Sequence, residues 1–107
     1  MIDYLKIDNE VYPLRFSYQV ITKHMAKLGL KRFVEIEKFM TEMPTSQMLN
    51  FIGDAIEAGC KKLDQKAPDA KWLEENLDFS HITEAIEIFS KQLSGNKKGE
   101  TEKGNGN

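Results

Sequence analysis

Apolar positions alternate with polar ones near the start of the chain, then change to a helical spacing that lasts to about residue 94. Tyr4-Leu5-Lys6-Ile7 reads as a short strand, Asp8-Asn9-Glu10 as a polar turn and Val11 to Phe16 as a second strand. Leu5 and Ile7 share one face, Val11 is expected to match them across the turn, and Phe16 to turn in toward the helices. Pro13 cannot donate a ladder hydrogen bond, so the second strand is an edge there, or bulged.

Ser17 is placed to cap a first helix, to about Leu28, with Val20, Ile21, Met25 and Leu28 as its apolar stripe. Gly29 stands where a left-handed C-terminal cap is wanted. A second helix is predicted from about Lys31 to Glu42, with Phe33, Ile36, Phe39 and Met40 apolar, and Pro44 bars its continuation. Thr45 or Ser46 caps a third, whose stripe is Leu49, Ile52, Ile56, Gly59/Cys60 and Leu63. Gly53 inside it costs about 1 kcal/mol relative to Ala, and the close approach of another element would account for it. A short helix from Ala70 to about Asn76, capped by Asp69, anchors through Trp72, Leu73 and Leu77. The last helix is expected after Ser80, with Ile82, Ala85, Ile86, Phe89 and Leu93 inward, and to end at Ser94-Gly95. The pattern predicts an α+β fold, mostly helical, with one N-terminal β-hairpin packed on about four helices.

Residues 95–107 contain four Gly and three Asn and no apolar side chain, so they cannot offset the entropy of ordering. The expectation is one folded domain over residues 1–94 and a disordered tail over 95–107. The folded part carries 12 Lys/Arg against 15 Asp/Glu, and the tail three Lys against two Glu. A mildly acidic body argues against phosphate-driven nucleic-acid binding as the main role. No apolar run approaches the roughly 20 residues of a membrane helix. Asp3, Lys6 and Asp8 interrupt the start, so no signal peptide is expected. One cysteine, Cys60, excludes an intramolecular disulfide and suits a reducing cytoplasm.

No catalytic set emerges, and the chain reads as a non-enzyme without cofactor or metal. His24 and His81 are far apart and no Cys or His pair has ligand spacing, so each histidine reads as a surface or cap-adjacent residue. Cys60 falls on an apolar stripe, where a buried inert thiol is the default. Ser17, Ser46 and Ser80 read as caps, and Gly29, Gly53 and Gly59 are too scattered for a phosphate loop. Lys23, Lys27, Lys31 and Arg32 form a basic group around the end of the first helix. It reads as a phosphate or acidic-partner contact, or more plainly as a solvated face near a helix C-terminus. Met40, Met43 and Met48 cluster at the corner between the second and third helices, with Phe39 and Phe51 beside them. These five are the candidate partner-binding residues, since a flexible Met/Phe surface suits varied apolar segments. The plainer reading is core packing at a helix corner.

The hairpin Ile2 to Phe16 with its Tyr12-Pro13-Leu14-Arg15-Phe16 run, the helix that follows at once, and the Ile52-Gly53-Asp54-Ala55-Ile56 pattern resemble the small tail assembly chaperones of long-tailed phages. The resemblance is to versions from phages and prophages of Gram-positive bacteria and covers roughly residues 1 to 93. It rests on packing motifs, not on a catalytic signature. It implies a protein that works in the cytoplasm of the infected host, coats and solubilises the tape measure protein while tail tube subunits polymerise, and is not kept in the mature virion. It also implies self-association along a long client and, through a longer frameshifted product, a link to the tail tube protein. A short product ending in a Gly/Lys/Asn tail fits the unshifted form. The alternatives are a small nucleic-acid-binding regulator using the basic group, or a structural virion or adaptor protein.

Overall fold

The computed structural model describes the backbone of residues 2–104 and the side chains of residues 2–94. It is α+β and mostly helical, with a two-stranded antiparallel hairpin followed by five α-helices among the described residues. Strand β1 is Asp3–Ile7 and β2 is Glu10–Leu14. Leu5 faces Tyr12 and Ile7 faces Glu10 in the register. The turn is therefore Asp8-Asn9, one residue shorter than the sequence predicts, with Asp8 at φ +58°, a conformation Asp tolerates. One residue of register reverses every side chain in a strand. Val11 therefore pairs with Lys6 on the outer face and is exposed, not packed with Leu5 and Ile7. Tyr12 and Leu14 take the inner positions instead, against Leu5 and Asp3 respectively.

Helix α1 is Tyr18–Lys27; Ser17 caps it by accepting a hydrogen bond from the Val20 amide, and Gly29 takes the left-handed cap at φ +75°. The expected second helix opens as a separate 3-10 turn, Phe33–Glu35, before α2, Ile36–Glu42. The Glu35 carboxylate accepts the Lys31 and Arg32 amides at 3.1 and 3.0 Å and thereby fixes that tight entry. Helix α3 is Thr45–Lys62, with Pro44 at its cap position and no side-chain cap from Thr45 or Ser46. Helix α4 is Ala70–Asn76, as expected, although Asp69 makes no side-chain cap bond.

Helix α5 is Phe79–Gly104. It starts before Ser80, so Ser80 is not its cap; the Nδ1 of His81 accepts the Asp78 amide at 2.9 Å instead. Its backbone also passes the stop expected at Ser94-Gly95. The expected disorder of the tail concerns residues 95–107, which lie outside the described side chains.

The core is built where the hairpin, α3 and α5 meet. The Phe16 ring lies 5.0 Å from Phe51 and 4.9 Å from Phe89, and Phe51 lies 5.1 Å from Phe89 and 5.3 Å from Phe39. The Phe16 contacts are tilted and the Phe51–Phe39 and Phe51–Phe89 contacts edge-on, the latter suiting the ring quadrupoles. Strand β2 docks its free edge on α3, where the Arg15 amide donates to the Ala55 carbonyl at 3.0 Å. The contact is close enough that a Cβ on Gly59 would stand 2.8 Å from the Pro13 carbonyl oxygen. Gly59, not Gly53, is the glycine that close approach requires; a Cβ on Gly53 would meet only Leu73 at an ordinary 3.6 Å.

Buried Gln92 of α5 ties the hairpin down. Its Oε1 accepts the Phe16 amide at 3.0 Å, and its Nε2 donates to the Leu14 carbonyl at 2.9 Å and to Asp3 at 3.0 Å. Satisfying those strand-end groups with one amide removes the cost of burying them unpaired.

Candidate functional site

An amphipathic helix hides one face and leaves another to solvent, and α1 departs from that scheme. Its inner face is Val20, His24 and Met25, buried against the domain. Its flank carries Tyr18, Ile21, Thr22 and Ala26, with Met25 at the base, and these line an open groove. The opposite wall is the segment after α1: Leu30, Lys31, Arg32 and Phe33. The groove has a volume of about 380 Å³.

Its floor residues Met25 and Leu30 are buried, but its aromatic rim is open to water. Tyr18 is 81% exposed, Phe33 64% and the adjacent Val34 72%. Exposed apolar residues scattered singly are ordinary; here Tyr18 and Phe33 both line one groove, and Val34 adjoins Phe33 in sequence. The 3-10 turn Phe33–Glu35 breaks the helical period expected from Lys31, and Phe33 is exposed while Ile36 and Phe39 enter the core.

Lys31 and Arg32 supply charge at the rim. The lysine–carboxylate ion pairs among the described residues are Lys23–Asp54 and Lys91–Asp3, so neither rim cation is in one. Glu35, the nearest acid in sequence, is held below the usual carboxylate range by its hydrogen bonds from the Arg32 and Lys31 amides. The basic group read from the sequence is therefore divided: Lys23 crosses to Asp54 of α3 at 3.1 Å, while Lys31 and Arg32 border the groove.

The five candidate contact residues lie elsewhere. Phe39 and Phe51 are wholly buried and Met43 nearly so, and Met40 and Met48 are half-buried against the same core. At the corner between α2 and α3, Phe39 and Phe51 therefore present no surface and Met43 almost none, while Met40 and Met48 keep part of theirs. The groove residues missed by sequence reasoning had one legible signal: Phe33-Val34 places two apolar residues together next to Lys31-Arg32.

His24 stands in the last turn of α1, near its cap as expected, but it is fully buried and not on the surface. Its Nε2 lies 2.7 Å from Asp54 Oδ2, and the Gln47 amide nitrogen lies 3.1 Å from its Nδ1 and 3.0 Å from its carbonyl oxygen. An amide nitrogen only donates, so Nδ1 accepts, Nε2 carries the proton, and the ring is neutral. Burial holds the His24 pKa below its ordinary value, opposed by the hydrogen bond to Asp54. Burial raises Asp54, but the hydrogen bonds from His24 and Lys23 outweigh it and keep that carboxylate ionised below the usual range. The pair resembles a catalytic dyad in its atoms, yet both ring nitrogens of His24 are already engaged, Nε2 by Asp54 and Nδ1 by Gln47. It acts as a joint between α1 and α3.

Cys60 is buried, with its thiol pushed up by burial, which disfavours the reactive thiolate. Among the described residues no three His, Cys, Asp or Glu side chains converge as a metal set requires. No helix among them is long and apolar enough to cross a membrane. Compared with protein-family models, with curated proteins and with solved structures, the chain gives no match.

Proposed function

We propose that this chain is a tail assembly chaperone of a long-tailed phage or prophage. It is non-catalytic, binds the tape measure protein in the host cytoplasm, and keeps it soluble during tail morphogenesis without entering the mature virion. The observation that carries the reading is the open groove beside α1, with Tyr18, Phe33 and Val34 turned to solvent. A protein that shields apolar stripes of a long helical client needs such a face. The hairpin joined directly to a helix, with the Tyr12-to-Phe16 run at the junction, supports the same reading by resemblance. Self-association along the client and a tail tube contact through a longer product belong to this proposal.

Co-expression with the tape measure protein of the same gene cluster tests it, followed by size-exclusion chromatography with light scattering. The expected result is a soluble tape measure in one large complex with many copies of this chain. An aggregated tape measure and a chain that elutes alone would overturn the proposal. Recovery of the chain from washed, purified particles would overturn its transient role.

A further inference from the structure

Resting on that reading, we propose that the α1 groove takes an amphipathic helix of the client whose apolar stripe is flanked by acidic residues. The groove follows α1 from Tyr18 to Ala26, a length of about 12 Å at the helical rise. Side chains at i, i+3 or i+4, and i+7 on a docked helix span that distance along one stripe. Ile21, Met25 and Leu30 give the floor an apolar character, and Tyr18 and Phe33 provide aromatic walls.

Charge selects the flank. Lys31 and Arg32 line the groove and no Asp or Glu does. Glu35 stays ionised, its Oε1 accepting both backbone amides, and it partly offsets the Arg32 charge from outside the groove lining. Cations bordering an apolar slot favour carboxylates beside the incoming stripe and disfavour a basic helix. The chain's own residues 95–107 do not suit the slot, because they contain no apolar side chain and more Lys than Glu.

The test uses two labelled peptides of identical leucine stripe, one flanked by Glu and one by Lys, titrated with the full chain by fluorescence anisotropy. The Glu peptide should bind about tenfold more tightly, the scale expected of two exposed charge contacts. The double variant Lys31→Glu with Arg32→Glu should reverse that preference. Phe33→Ser with Val34→Ser should weaken both peptides, while circular dichroism and Tm show that the fold is kept. Equal binding of the two peptides, or no response to either double variant, overturns the groove assignment. So does a homodimer that the Phe33/Val34 variant dissolves and that neither peptide disrupts, since the groove would then belong to a second copy.

Failure of this inference is distinguishable from failure of the chaperone reading. If wild type and both double variants solubilise the tape measure equally, the chaperone reading stands and the groove assignment falls. If the peptide preference and its reversal are found but the tape measure aggregates, the groove assignment stands and the client is another protein.

Discussion

Two sets of aromatic residues lie within the first ninety residues and meet opposite fates. Phe16, Phe39, Phe51 and Phe89 come from four separate segments and close into one buried cluster. Tyr18 and Phe33 lie close in sequence to two of them, yet stand in water beside the α1 groove. The residue types scarcely differ, so hydrophobicity does not separate the sets. What separates them is whether a third element arrives to cover them. The hairpin, α3 and α5 converge on the first set; only α1 and the segment that follows it border the second. A buried ring stabilises this fold, whereas an exposed ring is available to a partner.

Removing a buried ring should have the largest effect. Phe51→Ala should cost about 3–5 kcal/mol, measured by urea unfolding, because Phe51 touches Phe16, Phe39, Phe89 and His24. A loss below 1 kcal/mol would mean that the cluster is not the core. Gly59→Ala comes next. Its methyl would collide with the Pro13 carbonyl, backbone that cannot swing aside, and overpacking of this kind costs about 1–3 kcal/mol. Gly53→Ala is the control and should be neutral or slightly stabilising in the same melts.

A smaller effect concerns pH. The folded pKa of His24 is lowered, so on acidification the unfolded chain takes up its proton first and stability falls. That contribution is full above the ordinary histidine value and declines as pH drops below about 6.5. Asp54 acts in the same direction at lower pH, because its folded pKa is also depressed and its contribution is lost as pH falls through that folded value. Unfolding free energy should therefore fall between pH 7.5 and 5.5, and His24→Gln should flatten that slope. An unchanged slope in the variant would sink the neutral-histidine assignment. The smallest effect is expected at the groove, where Phe33→Ser should move stability by no more than about 0.5 kcal/mol. A loss comparable to that of Phe51→Ala would place Phe33 in the core and remove it from the contact surface.

Much of the fold is legible from local patterns. Ser17 and Gly29 mark both ends of α1, and Ala70 to Asn76 is a helix within its expected bounds. The hairpin strands were legible too, but their facing was not. A two-residue and a three-residue turn leave nearly the same apolar spacing and differ in which face Val11 occupies. His24 could have been found, since it lies four residues after Val20 on the same stripe. Its partners, Asp54 and Gln47, come from α3 and no local spacing shows them. A helix corner and a binding surface draw on the same residue types, and burial alone separates Phe39 and Phe51 from Phe33 and Val34.

By itself the sequence determined the elements and their chemistry. Its period of two and then of 3.6 residues requires a hairpin followed by amphipathic helices, because each side chain's direction is set locally by backbone geometry. Only the tertiary structure decided which faces are covered. Gln92 reaches across to the hairpin, β2 presses its edge on Gly59, His24 is sealed against Asp54, and Tyr18 and Phe33 are left open. Each of these depends on contacts between residues distant in the chain, and hydrophobic burial has no direction of its own until those segments meet.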